Sequence, residues 1–289
     1  NFLTNFTKKQ KILLTRLHNM YYNYLTTCLR VASCYLNKMK GGLYMILNKG
    51  NILKNKNTSM ELEEYSMELL SKGRLNEVIE LEHKVYEGLS NKDILYVDDY
   101  DEMLADMESG AKIIGVLNNK NRLIAYRYIG FPGLDNKNMG LDINLPIDEL
   151  DKVVHLETTV VDPEYRGNGL QDLTLQVASN MVKQEGYRHL LCTVSPYNFF
   201  SLYNVMKNGL KIKALKKKYA KSDDGNDGLW RFILHSDLEK SLNNPIDTVI
   251  SKWANLELQK ELIDNGYIGY EISKETRQLN YIKFQEQIA

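Results

Sequence analysis

The sequence predicts an α/β fold with a mixed, mostly antiparallel central sheet flanked by helices, followed by a C-terminal extension made of a helix and a β-hairpin. Runs of β-branched and aromatic residues alternate with stretches that place apolar residues at helical spacing along most of the 289-residue chain. Hydrophobic residues make up 43% of the sequence, which allows a core of the size that such a fold needs.

The N-terminal 59 residues differ in composition from the rest, because no acidic residue precedes Glu61. Between Leu13 and Tyr35, apolar residues recur at helical spacing and predict an amphipathic helix. Residues 48–59 are rich in Asn, Lys, Gly and Thr, a composition typical of a linker. We therefore expect residues 1–59 to be an extension that the core fold does not need, either a flexible arm or a helix that binds a partner.

The predicted core domain begins near Met60 with one strand and two helices, followed by a hairpin and a long connection. These elements are expected over residues 65–70, 75–89, 100–107, 113–117 with 123–129, and 130–150. The connection contains Pro132 and Pro146 and is long for a compact domain, so we expect it to line a substrate site.

The second half of the domain continues with a strand, a helix, a shorter strand, another helix and an antiparallel pair. We predict these over residues 153–161, 173–183, 190–194, 199–207, and 212–219 with 229–234 around a turn at 223–226. Beyond the domain, which we place at residues 60–236, the pattern predicts a helix over 245–265 and a hairpin from 267–272 and 279–284. Residues 237–289 thus form the C-terminal extension.

The most informative segment is the one where the strand over 153–161 ends at a glycine-rich turn and a helix begins. Gly167 and Gly169 let the backbone turn tightly and approach a ligand without an intervening Cβ. The first backbone N–H groups of a helix lack intrahelical partners, and the helix dipole adds partial positive charge there. Because Arg166 adds a permanent cation, the segment predicts a site for a pyrophosphate.

Two common phosphate loops are excluded by the residues around this turn. A P-loop requires Lys-Ser/Thr after its last glycine, and no such pair is present. A dinucleotide-binding turn requires a third glycine where this chain has Asp172.

Composition excludes several further classes of protein. The 37 basic and 37 acidic residues balance, whereas a general nucleic-acid binder shows a basic excess. Cys28, Cys34 and Cys192 are too few and too scattered for a disulfide framework or a zinc site, so we expect no metal and a reducing, cytoplasmic compartment. No apolar run approaches the ~20 residues that span a bilayer, and we identify neither a signal peptide nor a membrane anchor.

The glycine turn resembles the acyl-CoA loop of the GNAT superfamily of N-acetyltransferases, whose pattern is Arg/Gln-x-x-Gly-x-Gly/Ala. Arg166 and Gly169 match this pattern, and Gln171 stands where Gly or Ala is usual. The predicted element order is similar to the GNAT arrangement over residues 60–236. The sequence Tyr-Arg-Gly-Asn-Gly-Leu-Gln, with the later Tyr219 and the segment 228–231, is similar to a bacterial subgroup of the superfamily.

The resemblance implies acetyl-CoA as co-substrate and assigns the residues that bind it. Backbone atoms of Val160 and Val161 would pair with the pantetheine arm, Gln171 would add an amide hydrogen bond, and Asn198 would bond the pantetheine or the backbone near it. The residues implied to hold the pyrophosphate are Arg166, Gly167, Asn168, Gly169 and Leu170.

Acetyl transfer to an amine also needs a base, and Glu157 on the strand before the turn is the candidate. Some GNAT enzymes have a glutamate at this strand position; the alternative is an ordinary solvated strand glutamate. Alternation along a strand places His155 and Thr159 on the same face as Glu157. The family often uses a tyrosine as proton donor where this chain has Val205, so Tyr203, two residues earlier, is the candidate acid.

These residues favour an N-acetyltransferase that transfers an acetyl group from acetyl-CoA to a primary amine of a small molecule by direct attack. Two alternatives remain open, namely acetylation of a protein or peptide and a non-catalytic module that binds CoA. The expected partner is a small-molecule amine, with no nucleic acid and no membrane, and the expected assembly is a monomer or a homodimer.

Overall fold

The computed structural model describes residues 46–56, 59–220, 227–240 and 244–285. Within these ranges, eleven strands form one sheet and five α-helices pack on it. The helix predicted between Leu13 and Tyr35 and the turn predicted at 223–226 lie outside the described residues. None of the helices in the described ranges is long and apolar enough to cross a membrane.

The strands and helices follow the predicted order closely between residues 59 and 237. The strands are β1 (Ile46–Lys56), β2 (Ser59–Leu69), β3 (Lys112–Asn118), β4 (Leu123–Gly130), β5 (Val153–Val161), β6 (His189–Val194), β7 (Lys211–Lys218), β8 (Leu229–Asp237), β9 (Pro245–Lys252), β10 (Ile268–Ile272) and β11 (Gln278–Phe284). The helices are α1 (Leu75–Glu87), α2 (Tyr100–Glu108), α3 (Leu170–Gln184), α4 (Phe199–Lys207) and α5 (Leu256–Asp264).

The strand order in the sheet is β1-β2-β3-β4-β5-β6-β8-β7-β10-β11-β9. Every neighbouring pair of described strands is antiparallel except β5 and β6, which are parallel. The predicted fold class, a mixed and mostly antiparallel sheet flanked by helices, is therefore confirmed.

Each face of the sheet has its own apolar core. On one face, Leu175 of α3, Leu202 of α4 and Leu262 of α5 belong to one buried cluster. On the other face, Val78 of α1 and Met103 of α2 belong to a second cluster. Helices cover both faces of the strands that carry the glycine turn, and the position of that turn is thus fixed from both sides.

The parallel pair β5 and β6 separates along its length. Its pairing covers only the first three residues of β5, from Val153↔His189 to His155↔Leu191. Beyond His155, the side of β5 that faces β6 has no strand partner in the described sheet. The two strands therefore open a cleft toward their C-terminal ends, where the turn before α3 and the start of α4 lie.

Two of the predicted secondary-structure segments are wrong. Residues 48–59 are not a linker, because residues 46–56 form β1, which pairs with β2 in a long antiparallel hairpin. The first part of the helix predicted over 245–265 is a strand, β9, paired with β11, and only Leu256–Asp264 is helical. In both segments, hydrogen bonding to a distant strand overrides the local pattern.

The predicted C-terminal hairpin is confirmed as β10 and β11. It joins the rest of the sheet through a single registered pair, Gly269 of β10 with Ile212 of β7. Leu279 and Tyr281 of β11 are fully buried in the same cluster as the helices α3 and α4. The extension therefore continues both the sheet and the core of the domain before it.

Candidate active site

The glycine turn has the backbone geometry that an anion site needs. Gly167 and Gly169 have φ angles of 85° and 69°, in the left-handed region that favours glycine, and Gly169 is the N-cap of α3. A Cβ added at either position would meet no atom within 4 Å, so the space above the turn is open. No side chain caps this end of α3, which leaves its first N–H groups available to a ligand. Arg166 is exposed and makes no ion pair with the described residues.

Two buried side chains fix the chain just before the turn. The hydroxyl of Tyr165, which is fully buried, donates to Glu63 of β2 at 2.7 Å. The carboxylate of Asp162 accepts from Lys84 at 2.9 Å and from Arg122 at 3.0 Å. Burial alone would raise the pKa of Asp162, but these cations lower it below its usual value. The turn is thus supported from α1, β2 and the hairpin between β3 and β4.

Strand β1, which the sequence reasoning missed, contacts the turn directly. The side-chain amide of Asn168 accepts from the N–H of Leu53 at 2.9 Å and donates to its carbonyl at 2.7 Å. Asn55 donates to the carbonyl of Arg166 at 3.3 Å. The residues of β1 show no regular alternation of apolar and polar side chains, so the sequence pattern did not indicate a strand. Their polar composition therefore led to the linker prediction.

Gln171 connects the two helices that border the cleft. Its side-chain oxygen accepts from Asn204 of α4 at 2.5 Å, and its carbonyl accepts from the buried guanidinium of Arg127 at 3.1 Å. Gln171, which stands where the GNAT pattern has Gly or Ala, thus links α3 to α4 through its side chain. Asn198 caps α4, because its side chain accepts from the N–H of Ser201 at 3.1 Å.

A β-bulge lies in β5 where the cleft opens. Arg127 pairs with Thr159 and Ile129 pairs with Leu156, so β5 has one residue more than β4 in this interval. Thr159 lies on the face of its partner Arg127, which points to α3 and hydrogen bonds Thr174. The prediction that Thr159 shares the face of Glu157 is therefore wrong.

Thr158, rather than Thr159, lies on the same face of β5 as Glu157. Its hydroxyl lies close enough to the carboxyl of Asp98, in the segment between α1 and α2, to oppose the rise that burial causes in the pKa of that carboxyl. Regular alternation would have put Thr158 on the other face from Glu157. The extra residue brings two consecutive side chains, Glu157 and Thr158, to the same face.

His155 and Glu157 are adjacent on this face, as predicted. The Nδ1 atom of His155 lies 3.0 Å from Oε1 of Glu157, and its Nε2 atom accepts from the backbone N–H of Met139 at 3.0 Å. A backbone N–H can only donate, so Nε2 carries no proton and Nδ1 donates to Glu157. The imidazole is thus neutral and orients the carboxylate. The second oxygen of Glu157 has no hydrogen-bond partner among the described residues, and the side chain is 30% exposed.

Tyr219 and Tyr96 form a stacked aromatic pair near Glu157. Tyr219, just after β7, stacks on Tyr96 with ring centroids 4.4 Å apart, and its hydroxyl lies 2.7 Å from that of Thr193 on β6. Burial raises the pKa of Tyr219, and the negative charge of Glu157 adds to the shift. Tyr219 therefore keeps its proton at neutral pH and lies close enough to Glu157 to feel its charge.

Tyr203, the predicted acid, lies on the side of α4 that faces the C-terminal extension. Its ring stacks on Phe199 with centroids 6.4 Å apart, and the ammonium of Lys274 lies 5.8 Å from the ring centroid. It lines a groove of about 410 Å³ together with Tyr270 of β10. No hydrogen bond in the described ranges joins Tyr203 to Glu157, so the structure does not bring the two predicted catalytic residues together.

The remaining predicted residues lie along the open edge of β5. Val160 and Val161 pair through their backbones with Tyr126 and Ala125 of β4, and the opposite edge of the strand faces the cleft. Leu170 is the first residue of α3, and its side chain is buried. An extended chain that entered the cleft would thus run beside Val160 and Val161 and reach the glycine turn at one end.

No protein-family model matches this sequence, and no curated protein is significantly similar to it. Several solved structures are similar in fold. An N-acetyltransferase from Staphylococcus aureus Mu50 is 17% identical over 60% of this chain and 98% of its own, with a TM-score of 0.46. A putative acetyltransferase from Salmonella typhimurium, solved with its cofactor acetyl-CoA, is 16% identical over 62% of this chain and 96% of its own, with a TM-score of 0.45.

A GNAT superfamily phosphinothricin acetyltransferase from Sinorhizobium meliloti, in complex with acetyl-CoA, is 16% identical over 60% of this chain and 88% of its own, with a TM-score of 0.44. All three scores lie below 0.5, which limits the likeness to the general course of the chain.

Proposed function

We propose that this chain is an acetyl-CoA-dependent N-acetyltransferase that acts on a primary amine of a small molecule. The observation that carries the proposal is the cleft between β5 and β6, which has the open glycine turn at its mouth and Glu157 on its wall. The open cradle above Gly167 and Gly169 fits a pyrophosphate, and the unpaired edge of β5 fits an extended amide-bearing arm. Acetyl-CoA would supply the thioester carbonyl.

Glu157 acts on the acceptor amine. A free alkyl amine has a pKa of about 10.4, so its neutral form at pH 7 is disfavoured by roughly 4–5 kcal/mol. Glu157, oriented by the Nδ1–H of His155, takes a proton from the ammonium through its unpartnered oxygen, and the neutral nitrogen then attacks the thioester carbon. The carbon–sulfur bond then breaks, the nitrogen releases its second proton, and the departing sulfur accepts a proton.

Tyr219 is better placed than Tyr203 to give that proton. It is a protonated hydroxyl near Glu157, whereas Tyr203 lies against Lys274 on the side of the C-terminal extension.

The few scattered cysteines support a cytoplasmic compartment for the reaction. A non-catalytic CoA-binding module has the same glycine turn but no need for an oriented carboxylate on the cleft wall.

Calorimetric titration with acetyl-CoA tests the donor site, and release of free thiol in the presence of primary amines tests the transfer. We expect one acetyl-CoA per chain, with binding weakened by Arg166→Ala. Glu157→Gln should reduce kcat by about 10²–10⁴-fold while leaving the acetyl-CoA affinity intact. Asp151→Asn, which changes an exposed carboxylate just before β5, is the matched control. Full activity of Glu157→Gln would exclude the proposed base, and absence of acetyl-CoA binding at about 1 mM would exclude the function.

A further inference from the structure

Arg127 of β4 places a cation inside the core of the domain. The residue is 4% exposed, and its side chain points from the sheet to α3. Its Nε atom donates to the hydroxyl of Thr174 at 3.3 Å, and its Nη2 atom donates to the carbonyl of Gln171 at 3.1 Å. Both acceptors are neutral, so these hydrogen bonds hold the guanidinium in place without balancing its charge.

No carboxylate in the described ranges forms an ion pair with Arg127. Other arginines of the domain are paired, because Arg122 binds Asp162 at 3.0 Å and Arg188 binds Asp237 at 2.8 Å. Burial lowers the pKa of Arg127 to about 10, which still leaves the guanidinium charged at neutral pH. A buried charge without a partner is costly, and proteins ordinarily pair it. The charge of Arg127 thus lacks a balancing anion within the described part of the chain.

The proposed pyrophosphate site lies at the helix end that Arg127 holds. Gln171 is the second residue of α3, whose N-cap is Gly169, so the hydrogen bond from Arg127 reaches the first turn of this helix. Arg127 is buried between the sheet and this turn, whereas the space above Gly167 and Gly169 is open. A positive charge in that position adds to the positive end of the helix dipole, and both attract an anion bound on the open side.

Arg127 also lies beside the cleft between β5 and β6. It pairs with Thr159 of β5, beyond His155, the last residue of β5 that pairs with β6. Its charge reaches Cys192 on β6, because it lowers the pKa of that thiol against the larger effect of burial. The guanidinium is therefore near both strands of the cleft as well as the start of α3. Its field acts in a region with little water, where charges are screened less than at the surface.

We propose that Arg127 is the buried counter-charge of the donor's pyrophosphate, a positioning residue that acts through the first turn of α3 rather than by contact with the ligand. This inference rests on the proposed function, because it places the pyrophosphate of acetyl-CoA at the start of that helix. The bound diphosphate supplies a negative charge for Arg127. Arg166 attracts the same group from the exposed side, where water and salt screen its charge more strongly.

The test is calorimetric titration of acetyl-CoA into the full chain and into variants that separate charge from shape. Arg127→Met removes the charge and should weaken acetyl-CoA binding by about 5–30-fold. Arg127→Lys keeps the charge and should restore the affinity to within about 3-fold of the unaltered protein. If Arg127→Met does not fold, Arg127→Gln takes its place, because it keeps an amide donor without the charge.

Two controls report on effects that do not depend on this charge. Thr174→Val removes the hydrogen bond to Arg127 and keeps its charge, so we expect the acetyl-CoA affinity to stay within about 2-fold. Arg231 of β8 is also buried, and its guanidinium lies over the ring of Tyr219. Arg231→Met therefore removes a buried arginine that does not hold α3, and it should leave acetyl-CoA binding unchanged.

An equal loss of affinity in Arg127→Met and Arg127→Lys, or in Arg127→Met and Thr174→Val, would overturn the inference, because the side chain would then act through its shape. Release of free thiol in the presence of amines separates the inference from the proposed function. Binding that Arg127→Met weakens and Arg127→Lys restores, without thiol release, would support the counter-charge and contradict the transferase. Thiol release together with unchanged acetyl-CoA affinity in Arg127→Met would support the transferase and contradict the counter-charge.

Discussion

Asn168 in the glycine turn and Leu53 in strand β1 exchange two hydrogen bonds, of 2.9 Å and 2.7 Å, through one side-chain amide and one peptide unit. The amide of Asn168 therefore occupies the place of a strand residue opposite Leu53. Asn168 also donates to the carbonyl of Tyr165 at 2.9 Å, which closes the turn on itself. The turn and the edge strand form one unit.

Asn168→Ala removes all three of these hydrogen bonds and should weaken acetyl-CoA binding by about 5–30-fold, because the turn loses its fixed shape. Asn168→Asp keeps the acceptor toward the Leu53 N–H but loses the donor and places a negative charge near the phosphates, so it should bind more weakly still. Calorimetry measures both affinities, and hydrogen exchange of residues 46–56 reports the release of β1. Unchanged exchange in β1 would contradict the coupling between strand and turn.

The bulge in β5 makes two neighbouring threonines respond differently to the same substitution. The hydroxyl of Thr159 is buried without a hydrogen-bond partner, whereas that of Thr158 lies on the opposite face of the strand, near the carboxyl of Asp98. Thr159→Val should raise the free energy of unfolding by up to about 1 kcal/mol, and Thr158→Val should lower it by about 1 kcal/mol. Urea unfolding measures both, and each variant is the control for the other. Equal effects of the two variants would argue against the bulge.

Local patterns predicted most of the helices and strands between residues 59 and 237, because their apolar faces are periodic. They also predicted the tight turn before α3, since Gly167 and Gly169 follow a strand and precede a helix. The bulge was not predictable, because the run from Glu157 to Val161 reads as a regular strand and its extra residue shows only against β4. The consequence was an error of one residue in the face assigned to Thr159.

Strands β1 and β9 were missed for a different reason. Both are short of continuous apolar residues and lie at the two edges of the sheet, where one side of the strand faces solvent. In β9, Ile246, Val249 and Ile250 also fit helical spacing, which led to the helix prediction. These segments are strands because they pair with β2 and β11, and a local stretch of sequence does not show such pairing.

Because β7 and β10 are joined by a single registered pair, we expect their contact to be sensitive to substitution at Gly269. A Cβ on Gly269 would lie 2.8 Å from two side-chain atoms of Ile212, closer than such contacts allow. Gly269→Ala should therefore destabilise the protein by about 1–3 kcal/mol and loosen the extension from the core. Gly73→Ala is the control, because its Cβ would lie 3.6 Å from its nearest neighbour. Thermal unfolding measures both, and equal melting temperatures would contradict the close approach.

The buried carboxyl of Glu82 predicts a stability that falls as the pH rises. Burial, followed by the charge of Asp98, raises the pKa of Glu82 from 4.5 to about 8. The folded state therefore holds a proton that the unfolded state releases above pH 4.5, and the free energy of unfolding falls between that pH and about 8, with a limiting slope of roughly 1.4 kcal/mol per pH unit.

Glu82→Gln removes this proton linkage while keeping the size of the side chain. Its gain in stability over the unaltered protein should be small at pH 5 and should grow steadily to pH 8, as measured by urea unfolding at a series of pH values. Glu80→Gln, an exposed position on the same helix, should show no such trend. The groups that face Glu82 from other elements are Asp98 and Tyr126, so Asp98→Asn should reduce the trend without removing it. A difference between Glu82→Gln and the unaltered protein that is constant with pH would mean that Glu82 is ionised in the folded state. That result would contradict the rise of its pKa on burial.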